Sequence, residues 1–287
     1  MELTNKKKLK NLLAKYDIKP TKKLGQNFLV SKKALEDIVR LAELEPADQV
    51  LEVGGGVGTL TRKLASKVTK VWTVEKDPCL YQILKQESLK EFSNVEIISA
   101  DIRDLFKGGI LKFDHCNLNF DYKVVSNLPY YLSSFLIRKF LEAQPKPIKI
   151  VLTLQKELAE RICAQPGQMS ILAVAVQFYS NPSLGPTIPK THFYPSPKVD
   201  SRILILNDIC SLEDVEEESF FGVVRAGFGH KRKTLANNLS MALEADKGKV
   251  EDVLEEFGLS KMVRPQALSV EDWMRISTVL NQDLGMV

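Results

Sequence analysis

An amide, a proline and two aromatic rings stand side by side in "SNLPYYL" (126–132), directly after the apolar run "YKVV". None of these groups is a strong nucleophile, and together they make no metal-ligand set. The side-chain oxygen of Asn127 can accept a hydrogen bond from an exocyclic N–H. Leu128, restricted to an extended conformation by Pro129, can aim its carbonyl the same way. The ring of Tyr130 can stack on a base for roughly 1–3 kcal/mol. The four residues would suit an amino-bearing base, adenine above all. Taken alone, the tetrapeptide reads as a loop with a core tyrosine. Tyr131 has no such task and reads as packing.

A second constellation lies upstream. "LEVGGGVGTLT" (51–61) carries Gly54, Gly56 and Gly58 between a strand-like and a helix-like segment. The pattern is G-x-G-x-G, tighter than the G-x-G-x-x-G of dinucleotide sites. Missing Cβ atoms let a nucleoside or amino-acid moiety press against the backbone there. Glu75 lies 21 residues after Gly54, at the end of the next strand-like run. An acid in that place can accept both hydroxyls of an unphosphorylated ribose. Asp101, in "SADIRD", ends a third such run and could accept from an adenine amino group. Either acid alone reads as an exposed strand-end residue. Successive strand ends that all bear glycine or carboxylate point to a ligand at the carboxyl edge of an open α/β sheet.

The elements that must position these groups alternate. "QVLEV" (49–53), "KVWTVE" (70–75), "VEIISAD" (95–101), "YKVVSN" (122–127) and "IKIVLTLQ" (148–155) read as strands. Helical patterns such as "TLTRKLASK", "PCLYQILKQESLK" and "SSFLIRKFLEA" separate them. Alternation of this kind predicts a mostly parallel sheet covered on both faces. "MSILAVAVQFYS" fits a strand or a buried helix, and "SRILIL" (201–206) a final strand. After Asn207 the patterns are helical, so two domains are predicted, 1–207 and 208–287. Ser269 and Asp272 read as the entry of a late helix.

Composition is ordinary for a folded protein, with 44% hydrophobic and 26% charged residues. Apolar runs fall far below the roughly 20 residues that span a bilayer, and the N-terminus lacks a signal-type apolar core. The chain therefore reads as cytosolic, with no membrane partner. Cys79, Cys116, Cys163 and Cys210 are widely spaced, which argues against a zinc site or a disulfide framework. Net charge is only +4, yet residues 1–33 hold ten lysines against two acids, a local +8 that leaves −4 for the rest. A second basic knot is "HKRK" (230–233). Lys22 and Lys23 in the first cluster, and Lys231, Arg232 and Lys233 in the second, suit a phosphate backbone.

These segments together resemble the ribosomal RNA adenine N6-dimethyltransferases. The likeness covers nearly the whole chain and includes "KKLGQNFL" (22–29), "LEVGGGVGTLT", "VEKD", "SADI", "SNLPYYLSS", "HFYPSPKVDSRI" (192–203) and "KRKTLANNL" (231–239). The resemblance implies a Rossmann-like, S-adenosylmethionine-dependent methyltransferase sheet with a small all-helical C-terminal domain. It implies two methyl transfers to N6 of each of two adjacent adenosines, in a hairpin loop near the 3′ end of small-subunit rRNA. The substrate would lie within the pre-30S ribosomal subunit and the enzyme would act as a monomer without metal. Carried over by motif, Asn27, Leu29, Gly54, Gly56, Glu75, Asp101 and Asn127 would line the cofactor site. Asn127, Leu128, Pro129 and Tyr130 would form the target-base site, with Phe193 of "FYPSP" as a second stacking ring.

The chain departs from that family at a few places. Gly55 stands where "GPG" is usual, Tyr131 where "NLPYN" is usual, and "GFGHKRKTL" carries fewer arginines. Three other readings remain. One is a large-subunit methyltransferase of the erythromycin-resistance type. Another is a non-catalytic ribosome assembly factor that keeps only the RNA-docking surface. The third is a small-molecule or DNA methyltransferase, which the basic arm and helical tail fit poorly.

Overall fold

A computed structural model describes residues 3–21, 25–107, 110–111, 121–210 and 215–284. Lys22, Lys23 and Cys116 lie outside the described residues. The main sheet has seven strands: β1 (Gln49–Val53), β2 (Lys70–Glu75), β3 (Val95–Ser99), β4 (Tyr122–Asn127), β5 (Lys149–Gln155), β6 (Asn181–Ile188) and β7 (Ser201–Asn207). Their order across the sheet is β3-β2-β1-β4-β5-β7-β6. Strands β1 to β5 pair in parallel, while β7 runs antiparallel to both β5 and β6. Val, Ile and Leu dominate β1 and β5 because both faces are covered. The order reverses between β1 and β4, which puts a crevice at their carboxyl ends.

Six helices accompany the first four strands: α1 (Lys6–Lys15), α2 (Lys32–Leu41), α3 (Thr59–Ala65), α4 (Pro78–Ile83), α5 (Ile102–Leu105) and α6 (Ser133–Glu142). Leu35 and Ile38 of α2 and Leu64 of α3 pack with Val50, Val71, Val125, Val151 and Ile203 of the sheet. Each such fully buried aliphatic side chain contributes roughly 1.5–3 kcal/mol.

Two findings differ from the sequence reading. The lysine-rich N-terminus is not simply a charged arm. Asn5 caps α1 through bonds from the Lys7 and Lys8 amides, and Leu9, Leu12 and Leu13 pack with Phe28, Val57, Leu80 and Ile83. The lysines occupy its outer face. Strand β6, "NPSLGPTI", is the other. Pro182, Gly185 and Pro186 argue against a strand, but β6 is an edge, where proline is tolerated. Gly185 is needed there because a Cβ would come within 3.0 Å of Ile203 Cβ.

The chain divides into two compact units, Met1–Ala159 with Asn181–Ile209, and Glu160–Ser180 with Cys210–Val287. The division falls within α7 (Lys156–Ile162). The second unit contains α8 (Ile171–Tyr179), α9 (Glu217–Gly227), α10 (Leu235–Ala242), α11 (Lys247–Glu256) and α12 (Val270–Leu284). "ILAVAVQFY" is thus a helix, capped by Ser170. Its Phe178 stacks on Phe220 at 4.3 Å. Ser269 and Asp272 exchange bonds of 2.9 and 3.1 Å in a reciprocal cap at the start of α12. No helix among the described residues is long and apolar enough to cross a membrane.

Candidate active site

The glycine turn between β1 and α3 is left-handed at Gly54 (φ 78°) and Gly56 (φ 59°), which side chains adopt only with strain. Its backbone is tied to the neighbouring strand. Gly54 N donates to the Val74 carbonyl at 2.8 Å, and Gly56 N to Glu75 Oε2 at 2.8 Å. The other oxygen of Glu75 accepts from Asp77 N at 2.8 Å. Glu75 is only 7% exposed, and burial raises its pKa against these backbone bonds.

Below the turn lies a carboxylate that the sequence reading passed over. Glu52 is 2% exposed, and its Oε2 accepts from Thr61 Oγ1 at 2.5 Å and Thr73 Oγ1 at 2.9 Å. Burial pushes its pKa up to about 7. Thr73 also explains Gly55, whose φ is not left-handed. A Cβ on Gly55 would stand 2.4 Å from Thr73 Oγ1.

Asp101 follows β3 and caps α5 through the Arg103 amide at 3.0 Å. Its Oδ2 pairs with Arg103 Nη2 at 2.6 Å and Lys76 Nζ at 2.7 Å. The Arg103 guanidinium, helped by Lys76, holds its carboxyl well below the usual carboxylate range. Asp101 is therefore a firmly ionised acceptor, already partly occupied by its own chain.

Asn127 closes β4. Its amide nitrogen donates to the Asn27 carbonyl at 3.3 Å. A carbonyl only accepts, so this contact must take the nitrogen and leaves the amide oxygen for a ligand. Asn27 in turn donates from its side chain to the Gly25 carbonyl at 3.0 Å. Pro129 packs on the glycine turn, with its Cδ 3.5 Å from where a Gly54 Cβ would be. The Tyr130 hydroxyl meets Ser201 Oγ at 2.6 Å, and burial raises the tyrosine's pKa. Gln26 bonds Asp77 Oδ2 at 2.7 Å and so ties the "GQNFL" segment to the start of α4.

One cleft is lined by Asn27, Leu29, Gly54, Gly56, Glu75, Asp101, Asn127, Leu128, Pro129, Tyr130 and Phe193, which unites every described cofactor and base candidate. Two of its aromatic residues stand apart: Phe193, core by residue type and a stacking ring only by the resemblance, and Tyr131. Phe193 pairs with Leu29 in a two-stranded ribbon and is 1% exposed, part of the core beneath α2. Its ring offers no open face in this conformation. Tyr131, read as packing, is 51% exposed at the same cleft. Lys231, Arg232 and Lys233 are exposed in the second unit. Their turn is fastened by Asn238 Nδ2, which donates to the carbonyls of Gly227 (2.6 Å) and His230 (3.1 Å). Among the described residues no three His, Cys, Asp or Glu side chains gather as a metal site would need. Ser201 lies in "HFYPSPKVDSRI" (192–203), but nothing local marks it as a partner of Tyr130.

A family model described as ribosomal RNA adenine dimethylase matches residues 18–282. The chain belongs to that family. It is 39% identical over 276 residues to ribosomal RNA small subunit methyltransferase A of Dehalococcoides mccartyi, covering 96% of this chain and 93% of the relative. It is 37% identical to the protein of that name from Alkaliphilus oremlandii, covering 94% and 95%. Among solved structures, a dimethyladenosine transferase from Plasmodium falciparum superposes with a TM-score of 0.75 at 26% identity, covering 90% of this chain and 98% of that one. The 23S rRNA methyltransferase ErmE gives 0.72 at 27% identity, covering 89% and 100%. As a ribosomal RNA adenine dimethylase, the protein is an S-adenosylmethionine-dependent methyltransferase. Its cleft fits that donor: left-handed glycines open the backbone to an amino-acid or nucleoside moiety, and carboxylates end the two following strands.

Proposed function

We propose that the protein dimethylates N6 of two adjacent adenosines in a hairpin loop near the 3′ end of small-subunit rRNA. The substrate is the RNA within a pre-30S particle, and the enzyme works as a cytoplasmic monomer during small-subunit maturation. The observation that carries this reading is the committed Asn127 amide, whose nitrogen is held by Asn27 and whose oxygen is left at the β4 end of the cleft.

When bound, S-adenosylmethionine supplies an electrophilic methyl group on sulfur. The adenine N6 lone pair is delocalised into its ring and attacks poorly. Hydrogen bonds from N6–H to Asn127 Oδ1 and the Leu128 carbonyl would draw that lone pair out of conjugation; the first transfer can use both N–H groups and the second only the one that remains, and each releases one N6 proton to water. This is positioning and electrostatic assistance rather than strong-base catalysis. Tyr130, anchored by Ser201, offers its ring to the extruded base. Extrusion costs roughly a few kcal/mol, less in a loop, and stacking of about 1–3 kcal/mol offsets it. Glu75 receives the ribose hydroxyls, and Asp101 the cofactor's adenine amino group. Phe193 forms the wall behind the base. The Lys231–Lys233 turn, with Lys22 and Lys23, holds RNA phosphates.

The large-subunit reading shares the fold, since ErmE superposes nearly as well as the dimethyladenosine transferase. The names of the relatives at 37–39% identity favour the small subunit. The deciding experiment offers isolated small and large subunits with radiolabelled S-adenosylmethionine and maps the product by primer extension. Label confined to adjacent small-subunit adenosines supports the proposal, and label in the large subunit overturns it. Calorimetric titration with S-adenosylmethionine separates both from a non-catalytic assembly factor, which would show no binding.

A further inference from the structure

Helix α6 buries Leu136, Ile137, Phe140 and Leu141 on one face. The face toward water should then be polar. It does carry exposed Ser134, yet it begins with Tyr131, 51% exposed, in the single 3₁₀ turn that leads into α6, and includes Phe135, 37% exposed. Arg138, also exposed, follows on the same face. Residues at spacings of four and three share one side of a helix, about one turn or 5.4 Å apart. Two rings and a guanidinium thus form a stripe that starts at the cleft, since Tyr131 also lines it.

We propose that this stripe holds the single-stranded RNA that flanks the target adenosine, with bases stacked on Tyr131 and Phe135 and Arg138 on a phosphate. The inference rests on the RNA-modifying reading of the cleft. Continuity with the base site identifies the occupant, because a strand leaving the cleft must cross Tyr131 first. The spacing adds to this. Stacked bases of a duplex strand lie about 3.4 Å apart, whereas positions four residues apart rise by about 6 Å along a helix axis, so anchors at these positions suit an extended strand rather than a duplex. A base extruded into the cleft requires such unstacked neighbours. The guanidinium at the far end, whose Nε pairs with the Glu142 carboxylate, keeps its remaining N–H donors for the RNA backbone.

The test measures binding of an oligoribonucleotide of about ten residues with a central adenosine to the full chain. Phe135→Ala and Tyr131→Ala should each weaken binding about tenfold, and Phe135→Tyr should restore it. Arg138→Ala should lower the salt dependence by about one phosphate contact, which the ring variants should not. Calorimetry with S-adenosylmethionine on Phe135→Ala should give the parent affinity and so exclude misfolding. Unchanged RNA affinity in Phe135→Ala overturns the proposal. So does a sedimentation result in which the ring variants abolish a self-association while RNA affinity stays the same. Binding is read without methyl transfer, so the two readings fail separately. Ring-dependent RNA binding without small-subunit methylation would sink the substrate assignment and keep the stripe.

Discussion

The two ends of the cleft are built from different materials. At the glycine turn most of the described bonds run to backbone or to a neighbouring strand, although Thr59 Oγ1 is buried without a partner among the described residues. Gly54 and Gly56 amides reach Val74 and Glu75, and Thr61 and Thr73 clamp Glu52. At the β4 end, one contact fixes each working group: Asn127 to the Asn27 carbonyl, and Tyr130 to Ser201. The first end is a preformed mould that any substitution strains. The second is a set of side-chain atoms that can be removed singly. Perturbing the mould should therefore appear in cofactor affinity and stability, and perturbing the β4 end in the methyl-transfer step or in RNA affinity.

The largest effect belongs to Asn127. Asn127→Ala should cut methyl transfer by about 10²–10³-fold, the usual loss when one preorganised hydrogen-bonding group is taken from a transition state. RNA affinity should stay within about twofold of the parent, since no phosphate contact changes. Single-turnover kinetics beside a filter-binding curve would check both. A rate near that of the parent would remove Asn127 from the chemistry.

The mould should carry the pH dependence. Glu52 titrates at about 7 in the folded chain against an ordinary 4.5, because burial disfavours its charge. A raised carboxyl pKa means that the folded state holds the proton more tightly. Its contribution is complete below about pH 4.5 and is lost as pH rises through 7, on the order of 3 kcal/mol in all. Glu75, also raised by burial, adds a slope of the same sign. Urea midpoints across this window should fall with pH more steeply for the parent than for Glu52→Gln. Parallel curves would mean that Glu52 is not buried as an acid.

A gentler strain tests the packing of the same end. Gly55→Ala drives a methyl into Thr73 Oγ1, and overpacking of this kind costs roughly 1–3 kcal/mol. Adding Thr73→Ala removes the hydroxyl, which leaves Leu84 Cδ1 at 3.1 Å and Thr73 Cβ at 3.6 Å as the nearest atoms, and it gives up one of the two hydroxyl bonds to Glu52, so the relief is partial. The double variant should therefore bind S-adenosylmethionine better than Gly55→Ala alone, a coupling that a double-mutant cycle reads directly. Simple additivity would show that Gly55 and Thr73 are not matched.

The same contrast decides what the sequence reveals. Strands β1, β2 and β4 are legible because β-branched runs end in glycine or a polar group. The glycines of the mould are legible because left-handed turns demand glycine, whereas Glu52 beneath them carries no local mark. Strand β6 is hidden, since its prolines and Gly185 are tolerated only at an edge, and edges are a property of the finished sheet. Helix α1 is hidden by its lysines, although Leu9, Leu12 and Leu13 keep helical spacing. The β4 end is the least legible. Neighbouring rings carry no local mark of facing: Tyr131 reads as packing and is exposed, while Phe193 reads as core from its own residue type, is a stacking ring only by the family resemblance, and is buried. The partnership of Tyr130 with Ser201 spans 71 residues and exists only once β7 has joined β5.

That partnership gives the smallest predicted effect and the cleanest separation of the two ends. Ser201 opens β7, opposite Gln155 of β5 and Ile188 of β6. The preceding residue is pinned too: the Asp200 carbonyl accepts from Lys156 N, and its carboxylate from Lys190 N. The sheet thus sets the position of the Ser201 hydroxyl, and the hydroxyl sets the Tyr130 ring. Ser201→Ala removes one hydrogen bond, about 1 kcal/mol, and frees the ring to swing. KM for the RNA substrate should rise severalfold, while S-adenosylmethionine affinity holds, because no group of the glycine turn touches Ser201 or Tyr130 Oη among the described contacts. A loss of cofactor affinity with an unchanged RNA KM would show that the two ends are one coupled unit, and the division between mould and removable side chains would fall.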